Sequence, residues 1–125
     1  MAVRGGAAAI RPAKLLAVEG EMANAIYIDK RVAGTSGRYV ARIAGVGGEA
    51  ELRFTVRGPS LISADHTEAP ASMRGTGAAS ALVEHMIGDV HANGLKIVPV
   101  CPYVLAQYRR HPEWSDVMTS GPLAV

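Results

Sequence analysis

The hydrophobic pattern of the chain changes its period near residue 70, and this change limits the folds that the chain can adopt. Apolar side chains occupy every second position between Glu49 and Arg57, and this alternation predicts a half-buried antiparallel strand. The turn Gly58-Pro59-Ser60 follows, and residues 61–68 are the next predicted strand. From Ala79 to Val90 the apolar residues recur instead at helical spacing. The chain therefore predicts an α+β fold in which a strand meander precedes helices.

The predicted elements follow in chain order. Strands are expected at residues 25–28, 38–44, 49–57 and 61–68, then a helix from about 79 to Asn93-Gly94, a strand at 95–100, and a helix from Pro102 to about His111. The strand–helix–strand unit predicts a right-handed crossover, so that strands 61–68 and 95–100 run parallel.

Side-chain positions follow from the two periods. On strand 61–68, a continuous alternation puts Ile62, Ala64, His66 and Glu68 on one face. On the first helix, the residues expected mostly on the solvent side are Glu84, His85, Asp89 and His91. The residues expected to pack the C-terminal segment against the body are Trp114, Val117 and Met118.

Length and composition set broader limits. A chain of 125 residues fits one domain, expected at 23–120, with a poorly ordered extension at 1–22 and a tail at 121–125. A net charge of +2 is too small for a nucleic-acid surface, and no apolar run approaches the ~20 residues of a membrane helix. The single Cys101 excludes an internal disulfide and favours a reducing, cytoplasmic setting. We expect a monomer or a weak homodimer without a metal site.

The segment Arg74-Gly75-Thr76-Gly77-Ala78-Ala79 lies between the predicted strand and the predicted helix. The start of a helix presents unpaired N–H groups and a partial positive charge, and glycines let an anion approach the backbone. The alternative interpretation is that the glycines only close a tight turn. A nucleotide P-loop would need Gly-Lys-Ser/Thr, and the dinucleotide fingerprint would need three spaced glycines, so neither motif fits.

Arg74, Gly77 and Ala79 instead fit the pattern Arg/Gln-x-x-Gly-x-Gly/Ala. This resembles the pyrophosphate-binding motif of the GNAT acetyltransferase superfamily. Four further segments, in the same order, resemble the small one-domain N-acetyltransferase-like group: residues 66–70, residues 94–103, Tyr108, and residues 111–114. The resemblance covers roughly residues 38 to 118.

The resemblance implies a GNAT-like fold, acetyl-CoA or CoA as the ligand, and transfer of acetyl to an unidentified amine. It also implies that strands 61–68 and 95–100 splay to admit the pantetheine arm. Pro99 and Pro102 give an independent reason, since neither donates an N–H to a ladder. The residues implied in CoA binding are Thr67, Met73, Arg74, Gly75, Thr76, Gly77, Ala78, Ala79, Cys101, Tyr103, Tyr108 and Arg109.

Amine acetylation also needs a proton acceptor, and His66 and Glu68 are the candidates for that base. Removing the proton of a lysine-like amine at pH 7 costs about 4.6 kcal/mol, against about 1 for an α-amine. The alternative is that Glu68 braces the loop while His66 bonds a backbone carbonyl.

Cys101 has three alternative roles: a nucleophile that carries acetyl, a proton donor to the departing CoA thiolate, or a small buried apolar residue. Tyr108 is a second candidate donor, and its alternative is simple packing. Lys96, Arg109 and Arg110 are either phosphate ligands or ordinary solvated charges. The competing function is a CoA-binding or regulatory protein without efficient transfer.

Overall fold

The computed structural model describes residues 25–119. The predicted extension 1–22 and tail 121–125 lie outside the described residues. The strands are β1 (Ile26–Ala33), β2 (Ser36–Ile43), β3 (Val46–Gly58), β4 (Leu61–Glu68) and β5 (Lys96–Pro99). The helices are α1 (Ala78–Ala92) and α2 (Pro102–Arg110), with 3₁₀ turns at Ala71–Met73 and Pro112–Asp116.

The five strands form one mixed sheet in the order β1-β2-β3-β4-β5. The first three pairings are antiparallel, and β4 pairs with β5 in parallel across the α1 crossover. A mixed five-stranded sheet with two helices confirms the predicted α+β class.

β1 is longer than the sequence indicated, because it continues from Ile28 to Ala33. The run Asp29-Lys30-Arg31 hid this part of the strand, since no apolar alternation marks it. In the structure Lys30 pairs with Tyr39 of β2 and lies over the ring of Tyr39, at 5.8 Å from the ring centroid. Pairing with β2 therefore defines this half of β1.

A β-bulge corrects the predicted faces of β4. The register of β3 with β4 shifts between the pairs Phe54–Ala64 and Arg53–His66, so Asp65 is an extra residue. One extra residue reverses the alternation, and Thr67 instead of His66 shares the core face with Ala64. The expectation that His66 and Glu68 lie on the face of Ile62 and Ala64 is therefore wrong.

The core lies between one face of the sheet and the helices. Leu52 and Ile97 from the sheet meet Leu82 and Met86 of α1 and Val104 of α2, and all five are fully buried. The predicted packing of the C-terminal segment is confirmed. The supporting observations are that Val117 and Met118 are buried in the core and that Trp114 stacks on His111 at 4.4 Å.

Asp89 also differs from its predicted position on the solvent side of α1. Its carboxylate is half-buried and accepts hydrogen bonds from Lys30 Nζ and Tyr39 Oη, both at 2.7 Å, and from Asn93 Nδ2 at 3.0 Å. The His85 ring packs edge-on against Tyr39 at 5.5 Å. Glu84, His85 and His91 are thus exposed as predicted, although the His85 ring also contacts the sheet, and only Asp89 is drawn into it.

Candidate active site

The glycine-rich loop is held in place by its own hydrogen bonds. Thr76 Oγ1 donates to the Met73 carbonyl at 2.6 Å and accepts from the Ala78 amide at 3.3 Å. The Met73 side chain is buried in the core. Gly75 and Gly77 have φ values of 78° and 85°, a left-handed conformation that glycine adopts without strain. The loop conformation is therefore fixed before any ligand binds.

The first turn of α1 presents several unpaired N–H groups. Within residues 25–119, no acceptor contacts the amides of Gly75, Gly77, Ala79 or Ser80. A Cβ placed on Gly75 or Gly77 would meet no atom within 4 Å, so there is open space beside the backbone at both positions. Arg74 is exposed, and in the described part of the chain no carboxylate pairs with it. Free amides, a helix N-terminus and an unpaired guanidinium suit a multiply charged anion.

An open strand edge lies next to this loop. β4 and β5 pair from Leu61–Lys96 to Ala64–Pro99, and the Cys101 amide then donates to the Ala64 carbonyl at 2.8 Å. β5 ends at Pro99, whereas β4 continues to Glu68. Among the described residues no strand pairs with β4 on this side beyond Ala64. We call this opening the β4–β5 gap.

Cys101 lies at the base of the gap. It is the N-cap residue of α2, its residue exposure is 3%, and its Sγ is 3.4 Å from Thr67 Oγ1. The bulge at Asp65 makes this contact, because it turns Thr67 toward the core side of the sheet. The neighbouring Val100 is 53% exposed at the opening. A thiol and a hydroxyl thus meet where the two strands part.

The other predicted residues are divided among several positions. Tyr103 and Tyr108 are partly buried against the core on α2. Burial raises the pKa of Tyr103, so its phenol remains protonated at neutral pH. Arg109 is exposed on the last turn of α2, and Lys96 donates instead to the Asp116 carbonyl. The geometry therefore gives Lys96 a role in anchoring the C-terminal segment.

His66 and Glu68 lie together on the face of β4 that points away from α1. Their side chains are 59% and 68% exposed, and His66 Nε2 is 3.7 Å from Glu68 Oε1. This face, which we call the outer face, also carries Arg53, the cross-strand partner of His66. The two candidate bases and the buried thiol therefore lie on opposite faces of the sheet.

Sequence reasoning assigned no partner to the Cys101 thiol. Thr67 was predicted only as a cofactor contact, and a continuous alternation would have turned it away from the core. No local signal marks the bulge, because the residues around Asp65 fit either phase of the pattern.

Within residues 25–119, no three His, Cys, Asp or Glu side chains converge enough to hold one metal ion. No helix in the same range has the length and apolar character required to cross a bilayer.

Comparisons with known proteins give one result. A family model described as GCN5-related N-acetyl-transferase matches residues 38–117. A search of curated proteins finds no match to the chain. The matched segment begins in β2 and includes the glycine-rich loop, the β4–β5 gap and all of α2.

Proposed function

Because the chain belongs to the GCN5-related N-acetyltransferase family, we propose that it transfers acetyl from acetyl-CoA to an amine. The observation that carries this proposal is the row of free amides at the start of α1, next to Arg74 and the open edge of β4. The only cysteine of the sequence, Cys101, is buried as a free thiol, which fits a reducing, cytoplasmic setting.

In the proposed complex the CoA pyrophosphate lies against the amides of Gly75, Gly77, Ala79 and Ser80, with Arg74 as the cation. The Ala78 amide stays bonded to Thr76, so Thr76 shapes the loop, and Met73 anchors it from within the core. The pantetheine arm follows the β4 edge beside Thr67, because that edge has backbone groups without a strand partner. The residues that flank the arm from α2 are Tyr103, Tyr108 and Arg109.

The β4–β5 gap joins the two faces of the sheet, so an amine can approach from the outer face. His66 accepts the proton that an ammonium must lose before it can attack. Glu68, 3.7 Å away, stabilises the resulting imidazolium. Both side chains are exposed, so the accepted proton passes readily to water.

Acetyl-CoA supplies an acetyl thioester, whose carbonyl carbon bonds to the amine nitrogen as the carbon–sulfur bond breaks. Cys101 donates its proton to the departing CoA thiolate. The Cys101 sulfur then takes up the proton that the acetylated nitrogen releases. Its position at the N-terminus of α2 stabilises the transient Cys101 thiolate. Tyr108, which lies seven residues later in the chain and so on the same side of α2, is the second candidate donor.

One observation favours a second candidate, a CoA-binding protein without efficient transfer. His66 and Glu68 are more than half exposed, and the groove that His66 lines on the outer face is open to solvent instead of enclosed. Enclosure commonly strengthens catalytic interactions by excluding water.

Two measurements on the full chain test the proposal. Unfolding is followed with CoA, acetyl-CoA or ATP, and we expect CoA at a hundredfold excess over its Kd to add about 2.7 kcal/mol of stability. Thiol release from acetyl-CoA is then measured with a panel of amines. Stabilisation without turnover on any amine would favour the second candidate, and no stabilisation by CoA would reject both.

A further inference from the structure

We infer that the outer face of the sheet carries an acceptor groove for an amine that also bears a carboxylate or phosphate group, an inference that rests on the proposed acetyltransferase function. The groove has a volume of about 660 Å³. The residues that carry the argument are Arg31, Arg38, Arg53, Asp65 and His66, all of which line it.

Four of these residues form one cross-strand row. Arg31 pairs with Arg38, Arg38 with Arg53, and Arg53 with His66, from β1 to β4. At a strand spacing of about 4.8 Å, the row is roughly 14 Å long. Like charges directly opposite each other destabilise a sheet. Three adjacent arginines therefore repel one another unless carboxylates or a bound anion lie between them.

Carboxylates on the protein satisfy these arginines only in part. Glu51 accepts from Arg53 Nε at 2.6 Å and from Arg38 Nη1 at 3.0 Å, so one negative charge serves two guanidinium groups. Arg31 lies 3.7 Å from the exposed Asp29, beyond hydrogen-bond distance. Each guanidinium has five N–H donors, and Arg53 uses only Nε for Glu51, which leaves its terminal nitrogens for a ligand.

The opposite end of the groove is acidic. Asp65 lines it beside His66, and its carboxylate accepts hydrogen bonds from Thr55 Oγ1 at 2.5 Å and Ser63 Oγ at 2.7 Å. Glu68 adds a second carboxylate next to His66 on the same face. The cations that line the groove therefore lie on β1–β3, and the carboxylate that lines it, Asp65, lies on β4. Arg57, which donates to Ser63 Oγ at 3.0 Å, is not among the lining residues.

A ligand with an ammonium end and an acidic end matches this polarity. Its ammonium group would lie beside Asp65 and His66, where the β4–β5 gap opens. Its acidic group would lie one or two strands away, at Arg53 or Arg38, about 5–10 Å along the row. The same arrangement rejects diamines, because their second cation would face the arginines.

Acetylation of matched amines tests this inference. We expect the wild-type protein to acetylate 6-aminohexanoate with a kcat/KM at least about tenfold above that for hexylamine, because each charge-assisted hydrogen bond contributes that much or more. Aminobutyl phosphate compared with aminobutanol tests phosphate in place of carboxylate. Equal kcat/KM values within both pairs would overturn the inference while leaving the acetyltransferase proposal intact.

Two variants locate the acidic subsite. Arg53→Gln should lower the preference for 6-aminohexanoate over hexylamine about tenfold. Arg42→Gln is the matched control, because Arg42 lies on the same face, pairs through Nε with Glu49 at 2.7 Å and does not line the groove. An equal loss of preference in both variants would contradict the assigned site.

A binding measurement removes the dependence on turnover. In NMR titrations of the CoA-loaded protein, 6-aminohexanoate should shift the resonances of His66 and Arg53, with an affinity reduced about tenfold in Arg53→Gln. If CoA binds but 6-aminohexanoate shifts neither resonance, the groove is not its site. If CoA does not bind, the proposed function is rejected. The titration is then repeated on the protein without CoA, and shifts of the His66 and Arg53 resonances, or their absence, support or reject the groove.

Discussion

At the scale of single residues, the proposed chemistry depends on the contact between Cys101 and Thr67. Sγ and Oγ1 are 3.4 Å apart, and the thiol is at the N-terminus of α2 where the strands part. A buried cysteine is often only an apolar filler. The hydroxyl partner and the adjacent gap favour a role in protonating a leaving thiolate.

Replacing Cys101 with serine tests this role. We expect Cys101→Ser to lower the rate of acetyl transfer roughly 100-fold, because a serine hydroxyl is a much weaker acid than a thiol. CoA should stabilise this variant as it stabilises the wild type. Kinetics of thiol release and thermal unfolding with CoA provide the two readouts.

Mass spectrometry of the protein after a pulse of acetyl-CoA separates the remaining alternatives. A wild-type protein that accumulates one acetyl group on Cys101 would show that the thiol is an acetyl carrier. Wild-type turnover by a Cys101→Ala variant would show that the cysteine only packs in the core.

At the scale of elements, α1 is asymmetric in what its two ends present. Gly77 precedes the helix with φ 85° and leaves the first amides free, whereas the C-terminal end is closed by Asn93 and Gly94, with hydrogen bonds to the Asp89 and His91 carbonyls. Both Gly77 and Gly94 have left-handed backbones and open space around the position of a Cβ. Only the first has a proposed ligand.

The two ends of α1 therefore give a matched pair of substitutions. Gly77→Glu should abolish CoA binding, since a carboxylate about 4 Å from a phosphate opposes it by about 4 kcal/mol at an effective dielectric of 20. Gly94→Glu carries the same charge and a similar backbone strain of about 1–2 kcal/mol, but should bind CoA normally. Calorimetric titration measures both affinities.

A third variant separates charge from strain. Gly77→Asn has no charge, and asparagine tolerates the left-handed conformation, so we expect it to retain most of the affinity for CoA. Equal loss of binding in Gly77→Asn and Gly77→Glu would trace the effect to the backbone, and normal binding by Gly77→Glu would reject the site.

At the scale of the whole molecule, Asp89 joins α1 to two strands. Lys30 of β1 and Tyr39 of β2 both donate to its carboxylate at 2.7 Å. Burial opposes ionisation of Asp89, yet the hydrogen bonds from Lys30 and Tyr39 outweigh it and lower its pKa below the ordinary 3.8. Burial, aided by the bond to Asp89, raises the pKa of Tyr39. The carboxylate is therefore charged and the phenol neutral at physiological pH.

The lowered pKa sets the direction of a pH effect on stability. A carboxylate with a depressed folded-state pKa stabilises the fold above its unfolded pKa of 3.8, and this stabilisation is lost as the pH falls through the folded-state value. Asp89→Asn should lower the free energy of unfolding by about 1–3 kcal/mol at pH 7. The difference from the wild type should shrink as the pH falls below about 4.

Urea unfolding at several pH values provides the measurement, with Glu84→Gln as the control. Glu84 is an exposed carboxylate on the same helix, and the described residues include no ion-pair partner for it. A loss of stability in Asp89→Asn no larger than in Glu84→Gln would show that the network does not join the helix to the sheet.

Local patterns in the sequence are enough to predict most of the helices and strands, and the family. The bounds of β4 are those predicted, and α2 begins at Pro102 and ends within one residue of the prediction. Apolar period, proline and glycine are local signals, and they act through backbone conformation within a few residues. The motif Arg74-x-x-Gly77-x-Ala79 is equally local, so it predicts the ligand loop from the chain alone, and the family that it indicated is confirmed.

Which side chains come into contact depends instead on how distant parts of the chain pack together. The bulge at Asp65 depends on the register of β4 with β3. Because of it, His66 lies on the outer face and the Thr67 hydroxyl contacts the Cys101 thiol. The second half of β1 and the burial of Asp89 depend in the same way on partners far along the chain. Such pairings are set by the joint packing of distant segments, and a local pattern that fits either phase contains no information about them.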